Sequence, residues 1–189
     1  MKSFCLIVLV LCCACSNNIS SYRVPQYEKD VDVVTDQVAK KIYQETGLKL
    51  MGTGGGLIDQ INRLGISFAR YGDLSMEEAR ELLVYCVEEY LDAINADEKI
   101  RPHLCCYPFS PNNIEIAIFI YGEDRRDPPI GFLTVVAEIY GRMTYKIQQP
   151  GFPSMKTIHE EPYDEAKKLM EQQDPGMKKI KMIRSGQKT

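Results

Sequence analysis

Apolar positions along the chain fall into a few clear periods. Val31, Val34, Val38 and Ile42 recur at three- and four-residue spacing with charges between them, which predicts a helix over about 28–45. Gly47 stands just past its last periodic residue, where a left-handed cap is wanted. A stronger helix is predicted over about 75–95. Its stripe is Ala79, Leu82, Leu83, Cys86, Val87, Tyr90, Leu91 and Ile94, and Ser75 with Glu78 opens it as a capping box. Ile114, Ile116, Ile118 and Ile120 then alternate with Glu115, Ala117, Phe119 and Tyr121, the period of a strand with one buried face.

Weaker patterns complete the picture. Leu48 to Met51 reads as a short strand, and Ile66 and Phe68 as another, ending at Tyr71-Gly72-Asp73. Phe132 to Tyr140 and Arg142 to Gln148 read as two strands turned at Tyr140-Gly141. A last helix is predicted from Glu161-Pro162 to about Gln173, stopped by Pro175-Gly176. The expected class is α+β: an antiparallel sheet of three to five strands with two main helices packed on it. The strands come in runs and do not alternate one-to-one with helices, which argues against a Rossmann-type parallel sheet.

The N-terminus has a different character. Met1-Lys2-Ser3 precedes eleven uncharged residues, Phe4 to Ala14. That is short of the roughly 17–25 apolar residues that span a bilayer and suits the apolar region of an export signal. The run ends at Cys12-Cys13-Ala14-Cys15, followed by polar Ser16-Asn17-Asn18. This segment resembles the lipobox of bacterial lipoproteins, in which small residues precede a cysteine that becomes the lipidated N-terminus. The resemblance covers residues 1 to 15. It implies cleavage after Ala14, lipid on Cys15, and, with Ser16 next, the outer membrane over the inner one. Cys12 stands where that family usually has Leu, so cleavage after Ala14 without lipidation stays open. The expected organisation is a signal at 1–14, a lipid-anchored tether at 15–27, one α+β domain at 28–175 and a tail at 176–189.

Composition sharpens this. Of seven cysteines, Cys86, Cys105 and Cys106 remain for the domain once Cys5, Cys12, Cys13 and Cys15 are assigned to the leader. A bridge from Cys86 to Cys105 or Cys106 stays open, and the spacing is that of neither a zinc ribbon nor a redox CxxC pair. The net charge of -3 hides an asymmetry. Residues 176–189 carry five basic residues and no acid, whereas 15–175 carry 17 basic and 26 acidic, a balance of -9. Such a tail suits an anionic lipid surface, an anionic envelope polymer or an acidic partner. The overall balance speaks against a nucleic-acid partner.

Candidate chemistry is sparse. Gly52-Thr53-Gly54-Gly55-Gly56 is glycine-rich like a phosphate loop but lacks the following Lys-Ser/Thr, so it reads as a flexible loop or a close backbone crossing, with Gly52, Gly54, Gly55 and Gly56 as the pliable rim of a ligand cleft in the functional version. His103 with Cys105 or Cys106 offers the residue types of a cysteine nucleophile. His159-Glu160-Glu161 is not a zinc-protease motif, and no GxSxG occurs. Asp59, Asp73, Glu115 and Glu123 are carboxylates that a fold can pair. Tyr71, Tyr107, Tyr121, Tyr140 and Tyr145 are candidates for a recognition surface. No catalytic set, metal site or cofactor is expected. The expected role is an exported, lipid-anchored binding or envelope-assembly domain; the alternative is an envelope hydrolase with a site assembled from distant residues.

Overall fold

A computed structural model describes residues 23–173. The signal, most of the tether and the basic tail lie outside the described residues. The chain runs α1 (Gln26–Thr46), β1 (Lys49–Gly56), β2 (Arg63–Tyr71), α2 (Met76–Ala96), two short 3-10 turns (Arg101–His103 and Pro111–Asn113), β3 (Ile114–Tyr121), β4 (Leu133–Ile139), β5 (Arg142–Gln148), β6 (Met155–Pro162) and α3 (Tyr163–Gln173). The six strands form one sheet in the order in which they occur.

The helix ends follow from their side chains. Ser75 accepts the Glu78 N–H at 3.2 Å and the Glu78 carboxylate accepts the Ser75 N–H at 2.8 Å, so α2 opens on a complete capping box. Gly47 closes α1 at φ 76°, its N–H donating to the Tyr43 carbonyl. The β4–β5 turn holds Tyr140 at φ 55° and Gly141 at φ 74°. Two successive positive values define the tight turn whose twist matches that of the flanking strands.

The helices cover one face of the sheet. Ile114, Ile116, Ile118 and Ile120 share a single core with Leu64, Ile66 and Phe68 of β2, Val136 of β4 and the stripes of α1 and α2. Each such aliphatic side chain contributes roughly 1.5–3 kcal/mol on burial. α1 packs at the β1 end, α2 across the middle, and α3 over β5 and β6. Polar clamps join the layers. Thr35 and Tyr90 share a buried hydrogen bond of 2.9 Å between α1 and α2. Arg80 of α2 pairs with Glu161 of β6 at 2.8 Å, and Tyr145 of β5 donates to the same carboxylate at 2.5 Å. Burial opposes ionisation of Glu161, but the Arg80 and Tyr145 hydrogen bonds outweigh it and hold the carboxyl below its usual range.

Five expectations need correction. The sheet is mixed and has six strands: β2 and β3 run parallel, Leu64 opposite Ile114 through Tyr71 opposite Tyr121, while every other pair is antiparallel. Between β2 and β3 the chain crosses over through α2, and a crossover of that length delivers the next strand parallel. There are three helices on the sheet, not two main ones. The last helix begins at Tyr163, because residues 155–162 form the edge strand β6. That strand is exposed at most of its positions and has no apolar alternation to announce it. The glycine run is likewise strand and not loop: β1 continues to Gly56, paired with β2 across a bulge between Leu50 and Gly52. Cys86, Cys105 and Cys106 are all free thiols, so neither proposed bridge exists in this structure.

Candidate functional site

The face of the sheet away from the helices is open over β1, β2 and β3. Pairing puts Gly54 opposite Gly65, Gly52 opposite Ser67, and Ser67 beside Ala117. These residues carry little or no side chain, so the sheet there is nearly bare main chain. They floor a surface groove of about 340 Å³. Its walls are Arg63, Glu115 and Ile139. Arg63 and Glu115 form an ion pair of 3.0 Å, both half exposed. The Arg63 guanidinium also lies 5.2 Å from the centre of the Tyr140 ring and donates to the Tyr140 hydroxyl.

The four glycines of the predicted rim differ in what requires them. A Cβ on Gly55 would stand 2.6 Å from the Arg63 carbonyl oxygen, so the pairing of β1 with β2 demands glycine there. A Cβ on Gly54 would meet nothing within 4 Å, one on Gly52 only the Ser67 hydroxyl at 3.6 Å, and one on Gly56 only the Asn62 Cβ at 3.8 Å. Positive φ does not explain them either, since none of the three has it. Gly52 and Gly54 both line the groove. Neither a close contact nor a positive φ requires glycine at either position, and their bareness keeps the groove open.

The wall at Ile139 and Tyr140 is held from the helix side by a buried acid. Glu138 is fully buried, and its Oε1 accepts the Gly141 N–H at 2.6 Å. Its Oε2 is buried with no hydrogen-bond partner. Burial, helped by the nearby Glu115 charge, pushes its pKa up to about 8 against the pull of the Gly141 hydrogen bond. Below that pH the acid is neutral and anchors the turn that carries Tyr140.

The remaining predicted site residues are dispersed. Asp73 and Glu123 come together with Asp124 and Asp127 around a second depression of about 420 Å³, between the β2–α2 turn and the β3–β4 loop. Asp59 lies apart in the β1–β2 loop, at φ 64°. His103 stacks on Tyr27, ring centres 4.7 Å apart. His159 is 3.6 Å from Glu161 and its ring 5.4 Å from that of Tyr145, within the clamp described above. Tyr71 and Tyr121 sit side by side at 6.0 Å on the open face. Among the described residues no group of three or more His, Cys, Asp or Glu side chains is placed to hold a metal ion. Cys15 lies outside the described residues.

Of the four glycines expected at a ligand rim, Gly52, Gly54 and Gly55 line the groove and Gly56 does not. That expectation missed Arg63, Gly65, Ser67 and Ala117, which reach the groove only through strand pairing. Within the described residues no helix is long and apolar enough to cross a membrane. Comparison of the chain with protein-family models, with curated proteins and with solved structures gave no match in any of the three.

Proposed function

We propose that the chain is a binding domain of the bacterial cell envelope, anchored through lipid on Cys15, and that the groove across β1, β2 and β3 receives an extended segment of an envelope protein. The observation that carries this reading is the pair Gly52 and Gly54, bare where the fold itself would accept a side chain. A floor with little or no side chain, flanked by one ion pair and one aromatic ring, suits a flat, extended ligand. Past its bulge, the glycine-rich edge strand β1 offers free backbone donors and acceptors to the same segment. The lipid supplies location and the basic tail adds attraction to anionic headgroups, at up to about 1 kcal/mol per basic residue near the surface.

In-cell photo-crosslinking tests the groove. A photoreactive residue at Thr53 or Ser67 is expected to give one discrete adduct that the same residue at Lys40, on α1, does not give. Gly54→Leu, with the crosslinker kept at Ser67, is expected to abolish that adduct. Identical adducts from both positions, or none from the groove, would count against the proposal. Mass spectrometry of the mature N-terminus tests the anchor separately, with acylation expected on Cys15 and absent from Cys15→Ala.

A further inference from the structure

We propose that Cys105 and Cys106 form a two-thiolate chelating site for a soft divalent d10 cation of the Zn²⁺ and Cd²⁺ class. The two thiols are adjacent, exposed and free, with their sulfurs 3.6 Å apart. The loop that carries them is fixed on both sides. Cys105 N–H donates to the Ile61 carbonyl at 2.9 Å and the Ile61 N–H to the His103 carbonyl at 2.7 Å, so the loop is stitched to the β1–β2 connection. On the far side the Asn95 side chain exchanges two hydrogen bonds with the Phe109 backbone, at 2.7 and 3.0 Å.

Asn113 spans both sulfurs. Its Oδ1 accepts from the Cys106 thiol at 3.4 Å, and its Nδ2 donates to the Cys105 sulfur at 3.8 Å. The same Oδ1 also accepts from the Ser110 N–H at 3.2 Å, which holds the amide in place. The Nδ2–H orients the Cys105 sulfur, and Oδ1 holds the Cys106 thiol until a metal ion takes the place of its proton, the kind of work done by groups just outside a metal's ligands. Asn113 is thus a positioning residue and not a ligand.

The sulfur separation selects among occupants. A direct disulfide needs about 2.05 Å between sulfurs and Cα atoms at least about 4.4 Å apart, whereas neighbours across a trans peptide are about 3.8 Å apart. Closing the pair on itself is therefore strained. A metal–sulfur bond of about 2.3 Å spans the observed gap at an S–M–S angle of roughly 100°, close to tetrahedral. A linear ion at the same bond length would need the sulfurs about 4.6 Å apart. Binding is a simple exchange: each S–H bond breaks, its proton passes to solvent, and two S–M bonds form with no change of oxidation state. Among the described residues no third His, Cys, Asp or Glu side chain joins the pair, so within the domain the other coordination positions fall to solvent. The site is of the open, exchangeable kind and not a closed structural one.

Cadmium titration of the reduced full chain tests this, read by thiolate-to-metal charge-transfer absorbance and by proton release. The expected result is two thiolates and about two protons per ion in this site. The chain carrying Cys5→Ser, Cys12→Ser, Cys13→Ser and Cys15→Ser together should keep the two-thiolate band. In that background Cys105→Ser and Cys106→Ser should each abolish it while circular dichroism stays unchanged, because both side chains are exposed. Asn113→Ala should weaken binding by roughly 10- to 100-fold. Binding that survives in the Cys105→Ser, Cys106→Ser double variant without change, or a stoichiometry of one thiolate per ion, would overturn the assignment.

Discussion

Glu138 makes the stability of this fold depend on pH in an unusual direction. In the unfolded chain its carboxyl titrates at the ordinary 4.5; in the fold it titrates at about 8. Between those values the native state keeps a proton that the unfolded state has lost. The native state therefore binds more protons, and stability falls as pH rises through the window. Below about 4.5 the carboxyl costs nothing, and above about 8 the whole penalty is present. At about 1.4 kcal/mol per pH unit, the interval from 4.5 to about 8 sets a ceiling of about 5 kcal/mol. Glu138→Gln removes the titration but keeps an oxygen for the Gly141 N–H. Its amide nitrogen replaces Oε2, which has no partner in the wild type. Urea unfolding of both proteins should be compared from about pH 5 to about pH 7.5. The stability of the wild type relative to the glutamine variant should fall by about 3 kcal/mol across that range. Taking the difference cancels the other titrating groups, including Glu161, whose lowered pKa acts only below the carboxylate range. Two profiles that run parallel would refute the reasoning and mean that water reaches Glu138.

Other outcomes follow from single contacts. Ser75→Ala removes the acceptor for the Glu78 N–H and should cost about 1 kcal/mol of stability in urea unfolding. Gly55→Ala must push against the Arg63 carbonyl and should cost roughly 1–3 kcal/mol. Gly54→Ala has room and should be neutral or stabilising by up to about 1 kcal/mol; a large loss at Gly54 by calorimetry would contradict the free space seen there. Arg80→Met leaves the buried Glu161 carboxylate without its cation and should destabilise by roughly 3 kcal/mol at neutral pH. That deficit should shrink once Glu161 is protonated in acid.

The elements that read clearly from the sequence are those whose signals are local. α1 and α2 carry a full apolar stripe and a cap, β3 a strict alternation, and the β4–β5 turn a glycine between two apolar runs. Whatever depends on pairing was not legible. β6 is an edge strand, exposed on both faces over most of its length, so no period marks it. Glycine disfavours strands, so β1 past Met51 looked like loop until β2 supplied its partner. The groove shows the same limit. Gly52 and Gly54 announce themselves as glycines, but Gly65, Ser67 and Ala117 are ordinary strand residues until registration sets them side by side. Glu138 left one trace: it shares its strand face with Val136 and Thr134, all three buried, where an acid is costly. Cys105 and Cys106 were visible as neighbours, yet their 3.6 Å separation and the Asn113 bridge come from the loop's fixed path.

The parallel junction of β2 and β3 concentrates the entropy cost of the sheet in one place. The antiparallel pairs close over short connections: residues 57–62, 122–132, 140–141 and 149–154 lie between their strands. The parallel pair closes over residues 72–113, forty-two positions. Loop closure grows with the logarithm of length, so this pairing carries roughly 1.5 kcal/mol more chain entropy than a six-residue hairpin. The sheet is thus a hairpin and a meander joined along one seam. The groove lies across that seam, floored by Gly52, Gly54, Gly65 and Ser67 from one side and Ala117 from the other. Anything bound there bridges two stretches of chain that meet along that single parallel seam.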